Sequence, residues 1–164
     1  MKATEFIQQG LNGARRYTEA LIEKFATPEE WVAQPYPGAN HALWCIGHIA
    51  GTDNMCLSIL APEKAREMKG YKELFGGGST PQADVSAYPP VEEVLAYFRE
   101  RRETLLEVFA GLTDDDLDRE TPEGAPDFLP TVGAVFNIAI WHEGLHAGQA
   151  SIAHRSLGKP PVMG

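Results

Sequence analysis

The chain has 164 residues, 43% of them hydrophobic and 23% charged, with a formal net charge of −9. That is the make-up of one soluble globular domain able to close a sizeable core. The acidic balance, with no basic run, excludes nucleic acid and anionic membrane surfaces as natural partners. The start, Met1 to Phe6, passes straight into amphipathic sequence without the apolar core of a signal peptide, and no stretch is apolar for long enough to span a bilayer. Cys45 and Cys56 fall on one predicted helix, about 16 Å apart by rise, which is too far for a disulfide. Reduced thiols of this kind suit the cytoplasm.

Helical spacing of Ile7, Leu11, Ala14, Leu21, Ile22 and Phe25 predicts a first helix over 4–25. Thr27-Pro28-Glu29-Glu30 then reads as a capped short helix, stopped by Gln34-Pro35-Tyr36-Pro37-Gly38. A second long helix is expected from an Asn40 cap to about Leu60. It is apolar nearly all round through Ala42–Ala50 and therefore interior. On its wheel His41, Trp44, His48, Thr52 and Met55 share a face, whereas Asp53 points elsewhere. His41 lies about 10 Å up the axis from His48, so it reads as an entrance or capping residue.

Residues 61–90 mix a short polar helix over 61–69 with a loop at Gly76-Gly77-Gly78-Ser79, and serve either as spacer or as lid. No strand precedes the glycines and no Gly-Lys-Ser/Thr follows, so they are not a phosphate cradle. A third helix spans 91–112. Arg102 interrupts its apolar stripe, either snorkelling to solvent or a subunit contact, or acting as an interior cation that anchors an anionic substrate or pairs with a carboxylate. Asp114-Asp115-Asp116 lacks calcium-loop spacing and reads as the acidic first turn of a short helix capped by Thr113. After the proline-rich linker 121–130, Thr131 caps a fourth helix running to about Leu157. The result is an all-α, four-helix bundle over 1–164, with a long irregular connection between helices two and three.

Within the fourth helix, His142 and His146 are offset by only about 40° and 6 Å, so both imidazoles can converge on one ion. His142-Glu143-x-x-His146 spells the zincin pattern, in which the glutamate polarises bound water. The downstream positions of the extended protease form hold Gln149 and Ile152 instead, and residues 151–164 contain no acid. The third ligand must come from upstream, and the buried His48 is the better candidate; His154 points away from the pair. Three interior imidazoles without partners would each cost about 1–3 kcal/mol, whereas one divalent ion satisfies all three. Glu143 flanks the pair, either as a base or orienting a ligand; Gln149 shares the histidine face and either bonds the ligand or bridges helices.

These residues resemble the DinB-like superfamily of small helical-bundle metalloproteins across essentially the whole chain. The carriers are Pro37-Gly38, Trp44, Gly47-His48-Ile49, and His142-Glu143-x-x-His146-x-Gly148-Gln149, trailed by Arg155 and Gly158. The resemblance implies His48, His142 and His146 as metal ligands, and Trp44, Thr52, Gln149 and Arg102 are candidates to line the site. It also implies a metal-dependent enzyme acting on a small molecule, with a low-molecular-weight thiol as cosubstrate in some relatives and a hydrolase label in others, and it favours a homodimer. Three imidazoles accept several divalent transition metals, with zinc or nickel first. The competing expectations are a non-catalytic, metal-dependent ligand-binding or regulatory protein, and a structural site, which normally has four protein ligands rather than three.

Overall fold

The apolar stripes of the sequence form four long helices in this computed structural model, which describes residues 1–162. They are α1 (Ala3–Ile22), α3 (Ala42–Leu60), α5 (Val91–Ala110) and α7 (Val132–Ser156); the short helices α2 (Pro28–Trp31), α4 (Tyr71–Phe75) and α6 (Asp114–Leu117) lie between them. No strand occurs among the described residues, only an isolated antiparallel bridge between Glu120 and Thr131. The two helices that are apolar nearly all round, α3 and α7, pack against each other; α3 also packs on α5 and α7 on α1. None of the described helices is long and apolar enough to cross a membrane.

Several expected ends move. The first helix stops at Ile22, although Phe25 is still buried against Trp31 at 4.7 Å between ring centroids. Helix α5 ends at Ala110 rather than Leu112. Asn40 is not the cap of α3. His41 Nδ1 accepts from the Trp44 backbone N–H at 3.1 Å, and Asn40 instead donates from Nδ2 to Gln149 Oε1 at 2.9 Å. With Nδ1 accepting, His41 Nε2 carries the proton and donates to Tyr88 Oη at 3.1 Å. Burial makes this cap effective: water does not compete for a ring that is fully enclosed.

Residues 61–69 form only a 3-10 turn at Pro62–Lys64, and the helix of this connection is α4, further along. Thr131 caps α7 as expected, its Oγ1 accepting from Ala134 N at 3.2 Å. The acidic triplet does open α6, and Asp114 also accepts from the Thr4 backbone N–H at 2.9 Å, capping α1 from across the bundle.

The core divides into two apolar clusters, one around Trp44, Phe75 and Phe98, the other around Leu105, Phe109 and Phe136. Between them lies a layer of charge. Arg15, Asp53, Arg102 and Glu143, one from each long helix, each fall along their helix between members of the two clusters. Arg102 grips Asp53 with two bonds of 2.9 Å and reaches Glu143 at 2.7 Å; Arg15 reaches Asp53 at 3.1 Å and Glu143 at 2.9 Å. Two cations and two anions leave the layer formally neutral, the condition under which charges tolerate burial. Of the readings open for Arg102, this is the interior cation paired with a carboxylate, and the snorkelling reading is set aside.

Candidate metal centre

Helices α3 and α7 bring His48, His142 and His146 together. Each offers a ring nitrogen, and these atoms lie within 4.8 Å of one another. The ring centroids are 4.9 Å (His48–His142), 4.6 Å (His48–His146) and 4.4 Å (His142–His146) apart. Neighbouring groups hold the ligands in place. His48 Nδ1 donates to the Phe75 carbonyl at 2.7 Å and His146 Nδ1 donates to Gln149 Oε1 at 2.9 Å, so in both rings Nε2 is the free lone pair. Trp44 stacks on His48 at 4.6 Å and 16°, and its indole N–H donates to Ser79 Oγ at 2.8 Å.

The trio fits a divalent transition ion. Burial, reinforced by the neighbouring imidazoles, holds His142 down at about 3; burial holds His146 down at about 4 and also lowers His48. All three are therefore neutral near pH 7, the form that ligates. His142 Nδ1 is buried without a hydrogen-bond partner among the described residues. Tyr71 Oη and His154 Nδ1 are orphaned in the same way, so what singles out His142 is its place beside two rings of fixed tautomer, where a cation would satisfy the trio together.

The other candidate residues separate. Trp44 belongs to the site, stacked on His48 and edge-on to His146 at 5.7 Å. Gln149 holds His146 and also links α7 to the segment before α3 through Asn40. Thr52 sits a turn beyond His48, its hydroxyl donating back to the His48 carbonyl at 3.2 Å. Arg102 and Glu143 lie in the charged layer instead. Glu143 is fully buried and its two oxygens face Arg15 and Arg102, which corrects the picture of a base free to work at the metal.

The sequence reading missed the parts played by Phe75, Ser79, Asn40 and Arg15, which act through a backbone carbonyl or from distant elements. One signal was present. A Cβ on Gly47 would lie 2.2 Å from the Phe75 ring, so this glycine marks where α4 closes onto α3 and delivers the carbonyl that orients His48.

Residues 11–150 match the DinB superfamily, and the chain belongs to that family. A solved structure described as a conserved protein from Enterococcus faecalis has the same fold, with a TM-score of 0.70 and 20% identity over 97% of this chain and 99% of that one. No curated protein matches the chain.

Proposed function

We propose that the protein is a metal-dependent enzyme acting on a small molecule, with His48, His142 and His146 holding a divalent transition ion, zinc or nickel first. The observation that carries this reading is the convergence of three neutral imidazoles, two with their outward nitrogens already committed to Phe75 and Gln149. Three protein ligands leave coordination positions for a substrate, unlike a closed structural site. A bound ion of this kind supplies Lewis acidity, lowering the pKa of a water for hydrolysis or of a low-molecular-weight thiol for transfer. Trp44 walls the centre and keeps His48 in orientation. We further propose a homodimer located in the cytoplasm. Supporting the dimer, Trp141, Leu145 and Ile152 form an exposed apolar stripe along α7; supporting the location, both cysteines are free and buried.

A second reading, a metal-dependent binding or regulatory protein without turnover, is favoured by the engagement of Glu143 in the charged layer, which leaves no carboxylate among the assembled site residues. His142→Ala should remove most of the bound metal, measured by elemental analysis, while the helical far-ultraviolet signal survives. Full metal retention would reject the site. A thiol transferase should consume an electrophilic test substrate only with metal and thiol present, and chelation should stop it. Saturable binding without product by mass spectrometry would select the second reading.

A further inference from the structure

His48 belongs to two structures at once: the histidine trio and the wall of a cavity of about 590 Å³. That volume is within the range that encloses small organic ligands. The cavity runs between α3, the connection through α4, and α5, and its wall includes Met55, Met68, Tyr71, Phe75 and Tyr97. Aromatic faces and two flexible thioethers make the larger part of the lining adaptable and apolar, with Thr52, Asn54 and Ser58 adding polar groups along α3. None of the buried charged residues contributes to it; the charged groups on its wall, Glu67 and Lys72, are exposed.

Two glycines a turn apart on α3 have different physical reasons. Gly47 is required by the close approach of Phe75. Gly51 has no such reason: a Cβ there would meet nothing within 4 Å among the described residues, and its φ is ordinary. Glycine inside a helix costs about 1 kcal/mol relative to alanine, and neither packing nor backbone conformation calls for it here. What its missing side chain does is leave space in the cavity, a turn from His48 and beside Thr52.

We propose that this cavity receives the body of the substrate, an uncharged molecule with a flat aromatic or branched aliphatic frame, and that Gly51 is the specificity-determining residue that keeps it open. The inference rests on the metal-centre reading, since only beside a reactive centre is a molecule held against His48 a substrate. Its binding step can be tested separately.

The probe is N-phenyl-1-naphthylamine, neutral and fluorescent when removed from water, titrated into metal-loaded full-length protein carrying 13C-methyl methionine. The expected result is saturable fluorescence with matching shifts of the Met55 and Met68 methyl signals, while Met1 stays still. Affinity should fall progressively in Gly51→Ala, Gly51→Leu and Gly51→Phe, by at least tenfold in the largest that folds, with metal content unchanged. Probe binding that leaves Met55 and Met68 unmoved, or that is equally tight across the Gly51 series, overturns the proposal. His142 is not in the cavity wall, so His142→Ala should lose metal and keep the probe. Retained metal in that variant defeats the metal reading alone, and loss of the probe with the fold intact defeats the cavity.

Discussion

His146 has one ring nitrogen for a ligand because Gln149 accepts the proton on the other at 2.9 Å. The same Gln149 oxygen also accepts from Asn40, so the ring's orientation depends on a bond to the segment that leads into α3. Partners of this kind tune ligand basicity and direction. Gln149→Leu should therefore weaken metal binding by about 10–100-fold, read by competition with a chromophoric chelator. Unchanged affinity would reduce Gln149 to a tie between helices.

His41 makes a prediction of the opposite kind. Desolvation holds its imidazole down at about 4, against an ordinary value of 6.5, with the Tyr88 hydroxyl as its side-chain partner. Between those pH values the unfolded chain binds a proton that the folded chain refuses. The contribution is thus fully present above about pH 6.5 and is lost as pH falls toward about 4, amounting to roughly 3 kcal/mol at most. Urea denaturation of the metal-free protein at pH 7 and pH 5 should show a loss larger than this, because burial holds His142 and His146 down in the same way, and His41→Gln should flatten the slope by His41's share alone. An identical slope in the variant would assign the acid sensitivity to other groups.

At the scale of elements, the connection between α3 and α5 is part of the centre rather than a neutral spacer. Phe75, at the end of α4, supplies the carbonyl for His48, and Ser79, just beyond the glycine run, holds Trp44. Tyr88, near the end of the connection, bonds the cap of α3. The Phe75 contact depends on Gly47, over which the Phe75 ring lies. Gly47→Ala forces a Cβ into that ring, and overpacking of this sort costs about 1–3 kcal/mol. The variant should melt earlier and, because the Phe75 carbonyl moves with its ring, bind metal more weakly. Lower stability with metal affinity untouched would show that α4 supports the fold and not the ligand.

For the whole molecule, the decisive feature is the charged layer that joins all four long helices between two apolar clusters. Apolar packing alone tolerates small slips of one helix along another, whereas a bidentate guanidinium-carboxylate pair specifies position and angle. Asp53 lies five residues after His48, and Glu143 directly follows His142. The layer therefore sets the register in which α3 and α7 present their histidines to one another. Arg102→Met leaves Asp53 and Glu143 short of a counter-charge and should destabilise the protein by about 3–5 kcal/mol, measured by urea denaturation. Loss of less than about 1 kcal/mol, the usual worth of an exposed pair, would mean that water reaches the layer.

Much of this architecture could be read along the chain. Helical periodicity, the Thr131 cap, the proline stops and the all-round apolarity of α3 and α7 are local or face-by-face properties, visible in the order of residues. So was the pairing of His142 with His146, because four residues on a helix bring two side chains to one face whatever surrounds them. The apolar surroundings of His48 on α3 made it the natural third member, although its side chain proves half-buried rather than enclosed. Other features depended on where the helices came to rest. Glu143 flanks the histidine pair on a wheel, yet its carboxylate is taken by Arg15 and Arg102 from α1 and α5. Asp53, turned from His48 on the same helix, meets those same two cations. His41 displaced Asn40 as a cap because burial and Tyr88 favour it. Sequence by itself determined which residues share a face, since helical geometry is the same in every helix. Only the tertiary structure decided which faces meet, because opposite charges and close-packed rings act across space between residues that nothing in the sequence brings together.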